Sequence, residues 1–253
     1  MEGLSEKQAQ LVREFTLGDA RRWIVSGVVG SGKTLASCLS IARTARFYPG
    51  EYLLAAPQMG QVRSTLLGTL KGIYADELVI RSNAKEAELG GSLFHLYSGS
   101  DATSEMKIRG LNLNGALIDE AVGVHDSFIE QTLARLRKHP RKVLLVTNPD
   151  GPHHPLKAGW IDKAPGDANL EAFFFGIHDN PSLPDDYYTD LESSMSGAML
   201  KRMVRGEWAL SSGSIYGNPA RYSAAPPDDA PSRGRWIGVD YGTSAPTLSL
   251  IHI

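Results

Sequence analysis

The chain has 253 residues, 42% of them apolar and 21% charged, an ordinary globular balance with apolar material for a sizeable core. A formal net charge of −2 excludes an overall basic field, so any contact with nucleic acid must be local. The single cysteine, Cys38, excludes an internal disulfide and a cysteine zinc cluster.

The N-terminal "MEGLSEKQAQ" lacks the basic-then-apolar pattern of a secretion signal, and no apolar run is long enough to cross a bilayer. A soluble protein of the cytoplasm is expected. "RRWIVSG" reads as a strand and "KTLASCLSIARTARF" as a helix, with Cys38 as a small buried thiol. "EYLLAAP" is a strand and "QVRSTLLGTLKGIYA" a helix. "GSLFHLYSG" and "NGALIDEA" are strands separated by a polar, turn-rich segment. "DSFIEQTLARLRK" is a helix, and "RKVLLVTNP" and "EAFFFGIH" are strands. Helical pattern returns between Pro184 and Leu210. Ser223 to Arg235, "SAAPPDDAPSRGR", reads as a linker, and "WIGVDYGTSAPTLSLIHI" as strand, turn and strand. Strands alternating with helices predict an α/β fold with a mostly parallel sheet covered on both faces. Several strands are continuously apolar, as strands buried on both sides should be.

The loop Gly27-Val28-Val29-Gly30-Ser31-Gly32-Lys33-Thr34 fits G-x-x-x-x-G-K-[ST], with a strand before it and a helix after it. Gly27, Gly30 and Gly32 let the backbone curl, so that its N–H groups, including that of Ser31, converge on phosphate oxygens. The following helix turns its positive end toward the same anion. Lys33 can reach the β- and γ-phosphates, and the Thr34 hydroxyl can ligate Mg²⁺. The bland alternative is a chance glycine turn with an exposed lysine, which the flanking elements disfavour.

Such a site needs a second acidic position on a neighbouring strand end. "NGALIDEA" supplies Asp119 to help hold Mg²⁺ and Glu120 to polarise the attacking water. Alone, a carboxylate pair there is equally a helix cap or a solvated loop. "VLLVTNPDG" ends a further strand in Thr147 and Asn148, which can sense the γ-phosphate or the water, although Asn-Pro-Asp-Gly is also plain turn chemistry. Arg109 precedes the acidic strand and can serve as a finger, but an arginine is more often solvated. The Gln8 amide can pair with an adenine edge. Taken alone it is a surface helix residue.

These stretches together resemble the large terminase subunit of tailed bacteriophages, the ATPase that drives viral DNA into a capsid. The resemblance spans nearly the whole chain. It rests on "SEKQ", "GVVGSGKT", "KIRGLNLNGALIDEA", "LLVTNPDGPHHPLK", "NPSLPDDYYTDL", "RMVRGEW", "GSIY" and "WIGVDYGTSAPTL". The fold it implies is a P-loop NTPase of the ASCE type, with a small helical linker subdomain. The domains expected are an ATPase core over 1–180, a helical linker or lid over 181–222, a flexible linker over 223–235 and the start of an RNase H-like nuclease over 236–253. By resemblance, Gln8 matches the adenine-recognising glutamine and Lys33 and Thr34 the phosphate-loop pair. Asp119 matches the Mg²⁺-associated acid, Glu120 the catalytic glutamate, Thr147 and Asn148 the coupling motif, and Arg109 an arginine acting across a subunit boundary. The implied ligands are ATP and Mg²⁺. The implied partners are double-stranded DNA, a portal protein, a small terminase subunit and further copies in a pentameric ring, at work in the host cytoplasm.

Two departures stand out. Many relatives carry an arginine inside the phosphate loop, where this chain has Val29, which shifts weight to Arg109. Asp240 in "GVDYG" resembles the first nuclease metal ligand, but its partner carboxylates do not follow. One carboxylate cannot support two-metal cleavage, so nuclease activity is expected to be absent. Two rivals share the loop and acid pair: a helicase or remodeller, and an ATP-gated assembly module that hydrolyses little. The basic runs "RTARF", "ARLRKHPRK" and "LKRMVRGEW" read as solvated faces, His153-His154 as turn residues, Phe173–Phe175 as core, and Trp208 as packing the helical segment down.

Overall fold

Ser5 starts the fold with a reciprocal cap. Its Oγ accepts from Gln8 N at 3.2 Å, and Gln8 Oε1 accepts from Ser5 N at 2.9 Å. The helix that follows, α1 (Glu6–Leu17), buries Leu11, Val12 and Phe15 on one face. The computed structural model describes residues 3–81, 85–184 and 186–210, all within one compact unit. The linker 223–235, the segment 236–253 and Asp240 lie outside the described residues.

The chain continues through β1 (Arg22–Gly27), α2 (Lys33–Phe47) and β2 (Glu51–Ala56). The helix expected next runs without interruption over 59–73, as α3 (Met59–Gln61), a π-helical section over Val62–Leu67 and α4 (Gly68–Ile73). A short edge pair not anticipated from the sequence follows, β3 (Val79–Ile80) and β4 (Glu86–Leu89), and then β5 (Ser92–Ser98). The turn-rich segment winds into a 3₁₀ helix over Ala102–Ile108 before β6 (Gly115–Ile118), α5 (Asp126–Arg135), β7 (Lys142–Thr147) and β8 (Leu170–Phe175). The last region holds α6 (Tyr187–Ser194) and α7 (Gly197–Met203), and residues 204–210 are not helical.

The eight strands run β3-β4-β5-β2-β6-β7-β1-β8 across the sheet. Six are parallel, and β4 and β3 close one edge antiparallel. One strand, β7, stands between β1 and β6. Its register pairs Val25 with Val146 and Ser26 with Thr147 on one side, and Ile118 with Leu145 on the other. The ends of β1, β6 and β7 therefore open at one edge, where ligands of parallel α/β sheets bind.

The continuously apolar strands feed two cores. Trp23 and Val25 join the side with Leu11, Phe15 and Ile41, whereas Ile24 joins the side with Phe128 and Leu170. Leu144 and Val146 likewise separate from Val143 and Leu145. Alternate residues point to opposite faces, and helices cover both. Cys38 is fully buried on α2, and Trp208 packs partly buried against the second core. The Phe173–Phe175 run is only partly core: Phe175 is buried, Phe173 packs at its margin, and Phe174 is 53% exposed. Phe15 is fully buried and meets the Trp23 ring edge-on at 5.6 Å between centroids. Phe15→Ala should cost about 3–5 kcal/mol, read as a lower urea midpoint with an unchanged slope.

Candidate active site

Strand β1 ends on Gly27, and the loop to α2 is forced by two glycines, Gly30 and Gly32, at φ of 73° and 80°. A side chain at Gly32 would also collide with the Gln8 amide nitrogen, 2.1 Å from the position of its Cβ. Lys33 folds back under the loop. Its Nζ donates to Val28 O at 2.5 Å, Gly27 O at 3.0 Å and Ser31 Oγ at 3.4 Å. Ser31 Oγ in turn donates to Val28 O at 2.8 Å. The ammonium thus lies beneath a curl of backbone N–H groups at the start of a 15-residue helix. Burial pulls the Lys33 pKa down to about 8, against the opposing pull of the Asp119 charge.

Asp119 follows β6 and is 6% exposed. Its Oδ2 lies 3.4 Å from Thr34 Oγ1, and its Oδ1 accepts from Glu120 N at 3.0 Å. Burial pushes its pKa up to about 6, with the neighbouring Glu120 charge adding and Lys33 opposing. Glu120 adopts φ 48°, ψ 45°, a left-handed conformation rare for a residue with a Cβ, and is exposed. Gln61 Nε2 donates to Glu120 Oε2 at 2.5 Å, and Gln61 Oε1 accepts from Gln58 N at 3.0 Å. On the other side, Asn148 Nδ2 donates to Gly27 O at 2.9 Å, tying the end of β7 to the root of the loop. Thr147 Oγ1 donates to Asn148 O at 2.8 Å.

The loop, Thr65, Asp119, Glu120, Val146, Thr147 and Asn148 line one cleft of about 320 Å³. A larger cavity of about 840 Å³ lies behind the loop, between Val28, Ile177 and the α6–α7 region, but holds none of the acid pair. The donor set of the smaller cleft fits a hard divalent cation. Thr34 and Asp119 offer oxygen atoms side by side, and Asp119 is a buried carboxylate short of positive charge. Gln8 is 1% exposed, against the surface position expected of it in isolation, and its Nε2 has no hydrogen-bond partner. An orphaned buried amide beside the loop fits a ligand edge.

Arg109 is the predicted residue that the fold keeps apart. It follows the 3₁₀ helix, pairs with Glu105 at 2.5 Å, has a 59% exposed side chain and does not line the cleft. Sequence reasoning missed Gln61 and three outer contacts to the loop. Asn180 Nδ2 donates to Gly30 O at 2.6 Å, Tyr188 OH to Val29 O at 3.1 Å, and Val29 N to Met203 O at 2.9 Å. The Gln61 contact and the loop contacts all join residues far apart in sequence, so no local signal announces them. His153 and His154 lie in a turn, and no group of three or more histidine, cysteine, aspartate or glutamate side chains able to hold a metal ion occurs among the described residues.

A phosphate-type loop, an acid pair two strands away and a polar strand end between them define a P-loop NTPase domain of the ASCE arrangement. Residues 24–221 match the family described as terminase large subunit, T4likevirus-type, N-terminal, and the chain belongs to that family. Among solved structures, the large terminase of the thermophilic bacteriophage D6E superposes with a TM-score of 0.74 at 25% identity, over 81% of this chain and 53% of that one. A D6E form in complex with ADP gives 0.73 at 23%, over 81% and 54%. The ATPase domain of the Thermus phage P74-26 large terminase gives 0.53 at 14%, over 79% and 93%, a likeness of fold. This chain therefore spans about half the length of the D6E protein. No curated protein matches it. No helix among the described residues is long and apolar enough to cross a membrane.

Proposed function

We propose that this domain is the Mg²⁺-dependent ATPase of a phage DNA-packaging motor. The single observation that carries the reading is the shared cleft, in which Lys33, Thr34, Asp119, Glu120 and Asn148 meet at the carboxyl ends of three adjacent strands. The likeness to a terminase that binds ADP supports nucleotide as the ligand.

In this reading the loop N–H groups and Lys33 hold the phosphates, and Gln8 offers its free amide to the adenine edge. Thr34 and Asp119 would hold Mg²⁺, which when bound offsets phosphate charge. Glu120 takes a proton from the attacking water, and Gln61 orients that carboxylate. Asn148 reports the phosphate state to the loop through Gly27. Arg109 is offered to a neighbouring copy. The motor would act on double-stranded DNA as a pentameric ring on the capsid portal, supplied by a small terminase subunit, in the host cytoplasm. The domain divisions at 180 and 222 and the start of a nuclease domain around Asp240 belong to the same proposal.

The test is hydrolysis of ATP with and without Mg²⁺, together with titration of a fluorescent ATP analogue. Lys33→Ala should weaken nucleotide affinity by about 10–100-fold, the worth of one charged hydrogen-bonding group. A melting curve without nucleotide separates this from unfolding, because the variant also frees the carbonyls of Gly27 and Val28. Unchanged affinity in a folded Lys33→Ala protein would refute the phosphate role of the loop.

A further inference from the structure

At the opposite end of the sheet from the nucleotide cleft, the first residues of β1, β7 and β8 come together. Arg21 N and Arg22 N both donate to Asn169 O, at 3.2 and 2.9 Å, and Val143 N donates to Arg21 O at 2.8 Å. This brings Arg21, Arg22 and Arg141 around a cavity of about 350 Å³, completed by Asn169 and floored by Leu133 of α5 and Leu136 just beyond its end.

The charge there is unbalanced. Arg22 pairs with Asp167, whose other oxygen accepts from Asn169 N at 2.9 Å, and the Arg22 guanidinium lies over the Trp160 ring. Arg21 and Arg141 are exposed, and neither has an ion-pair or side-chain hydrogen-bond partner among the described residues. Asp19 acts on Lys142, which is buried and donates to Phe15 O and Gly18 O at 2.5 and 2.6 Å. Arg141 also sits at φ 59°, a conformation that costs a non-glycine residue energy. The positive surface continues to exposed Arg137, which contacts Asn112 and a carbonyl but no carboxylate. Lys138 is already paired with Glu51.

Guanidinium groups held together without a matching carboxylate repel one another until an anion joins them. Their planar forks suit phosphate oxygens in pairs. We propose that Arg21, Arg141 and the cavity between them form a phosphate-binding site for the backbone of duplex DNA, on the face of the domain remote from the nucleotide cleft. The proposal rests on the DNA-motor reading above. Arg137 extends the contact along the strand, and Arg22, fixed by Asp167 and Trp160, forms the wall of the site. Because the contact is to backbone oxygens, it carries no base preference.

The test is salt-dependent binding of a blunt 30-base-pair duplex to the full chain, with basal ATP hydrolysis measured in the absence of DNA. Arg21→Gln/Arg141→Gln should bind more weakly and lower the slope of log affinity against log salt by about 2, one unit for each lost phosphate contact. Basal hydrolysis should stay unchanged. Arg21→Lys/Arg141→Lys should retain the slope, and Lys71→Gln, on an exposed site in α4, should leave it untouched. Inorganic phosphate supplies a second arm. If it raises the melting temperature of the parent but not of the double variant, while both bind duplex with the same slope, the site takes free phosphate and the DNA assignment is overturned. Equal slopes without any phosphate effect overturn the site altogether. A parent chain that hydrolyses ATP yet binds no duplex overturns the DNA reading and this proposal with it.

Discussion

Glu120→Gln lowers ATP turnover by about 10²–10⁴-fold, the usual worth of a general base, while nucleotide binding persists. The physical basis is local. Glu120 follows a buried carboxylate, stands in a left-handed turn that projects it away from the strand, and is steadied by Gln61. Glutamine keeps the length and shape of the side chain but cannot accept the proton from water. Steady-state hydrolysis and analogue titration on the same preparations check this. Turnover equal to that of the parent chain would show that another group activates the water, and the acid pair would lose its assignment.

Arg109→Ala produces a loss of at least about 10³-fold in turnover under concentrated conditions, and little change in dilute solution, if its guanidinium completes a neighbour's site. Arg109 is largely exposed, paired with Glu105 one helical turn away and outside the cleft lining, so a direct role requires a second copy. The parent's turnover per molecule should then rise with protein concentration. Mixing Arg109→Ala with Glu120→Gln gives a sharper test. At a shared site, an intact arginine from one variant meets an intact glutamate from the other, and activity returns. Absence of recovery, with turnover per molecule flat, places Arg109 outside the reaction.

Much of this site was legible because its pieces are local. Gly27 to Thr34 is a contiguous motif, and Asp119-Glu120 and Thr147-Asn148 each close an apolar run whose length marks a strand. The parallel sheet followed from runs such as "KVLLVT", apolar on both sides of the pleat. What escaped was non-local or too short to carry a period. The pair β3 and β4 has two and four residues, and both residues of β3 are exposed, so no alternation announces it. The helix that the apolar spacing predicted is present over 59–73, but nothing in that spacing announces its wide π winding over Val62–Leu67. Gln8 looked like any polar residue on a helix, and its burial arises only because α1 folds down beside Gly32. Gln61 reaches Glu120 across 59 residues of sequence.

The glycine loop after β1 is gripped from outside by Asn180, Tyr188 and the carbonyl of Met203. None of these atoms belongs to the cleft, yet each holds a backbone group of the loop. A rocking of α6 and α7 therefore cannot occur without loosening the curl, and a filled curl resists the rocking by the same free energy. Hydrogen exchange should register this bargain in both directions: the Val29 amide slows when nucleotide is present, and quickens in a Tyr188→Phe chain even when the cleft is empty.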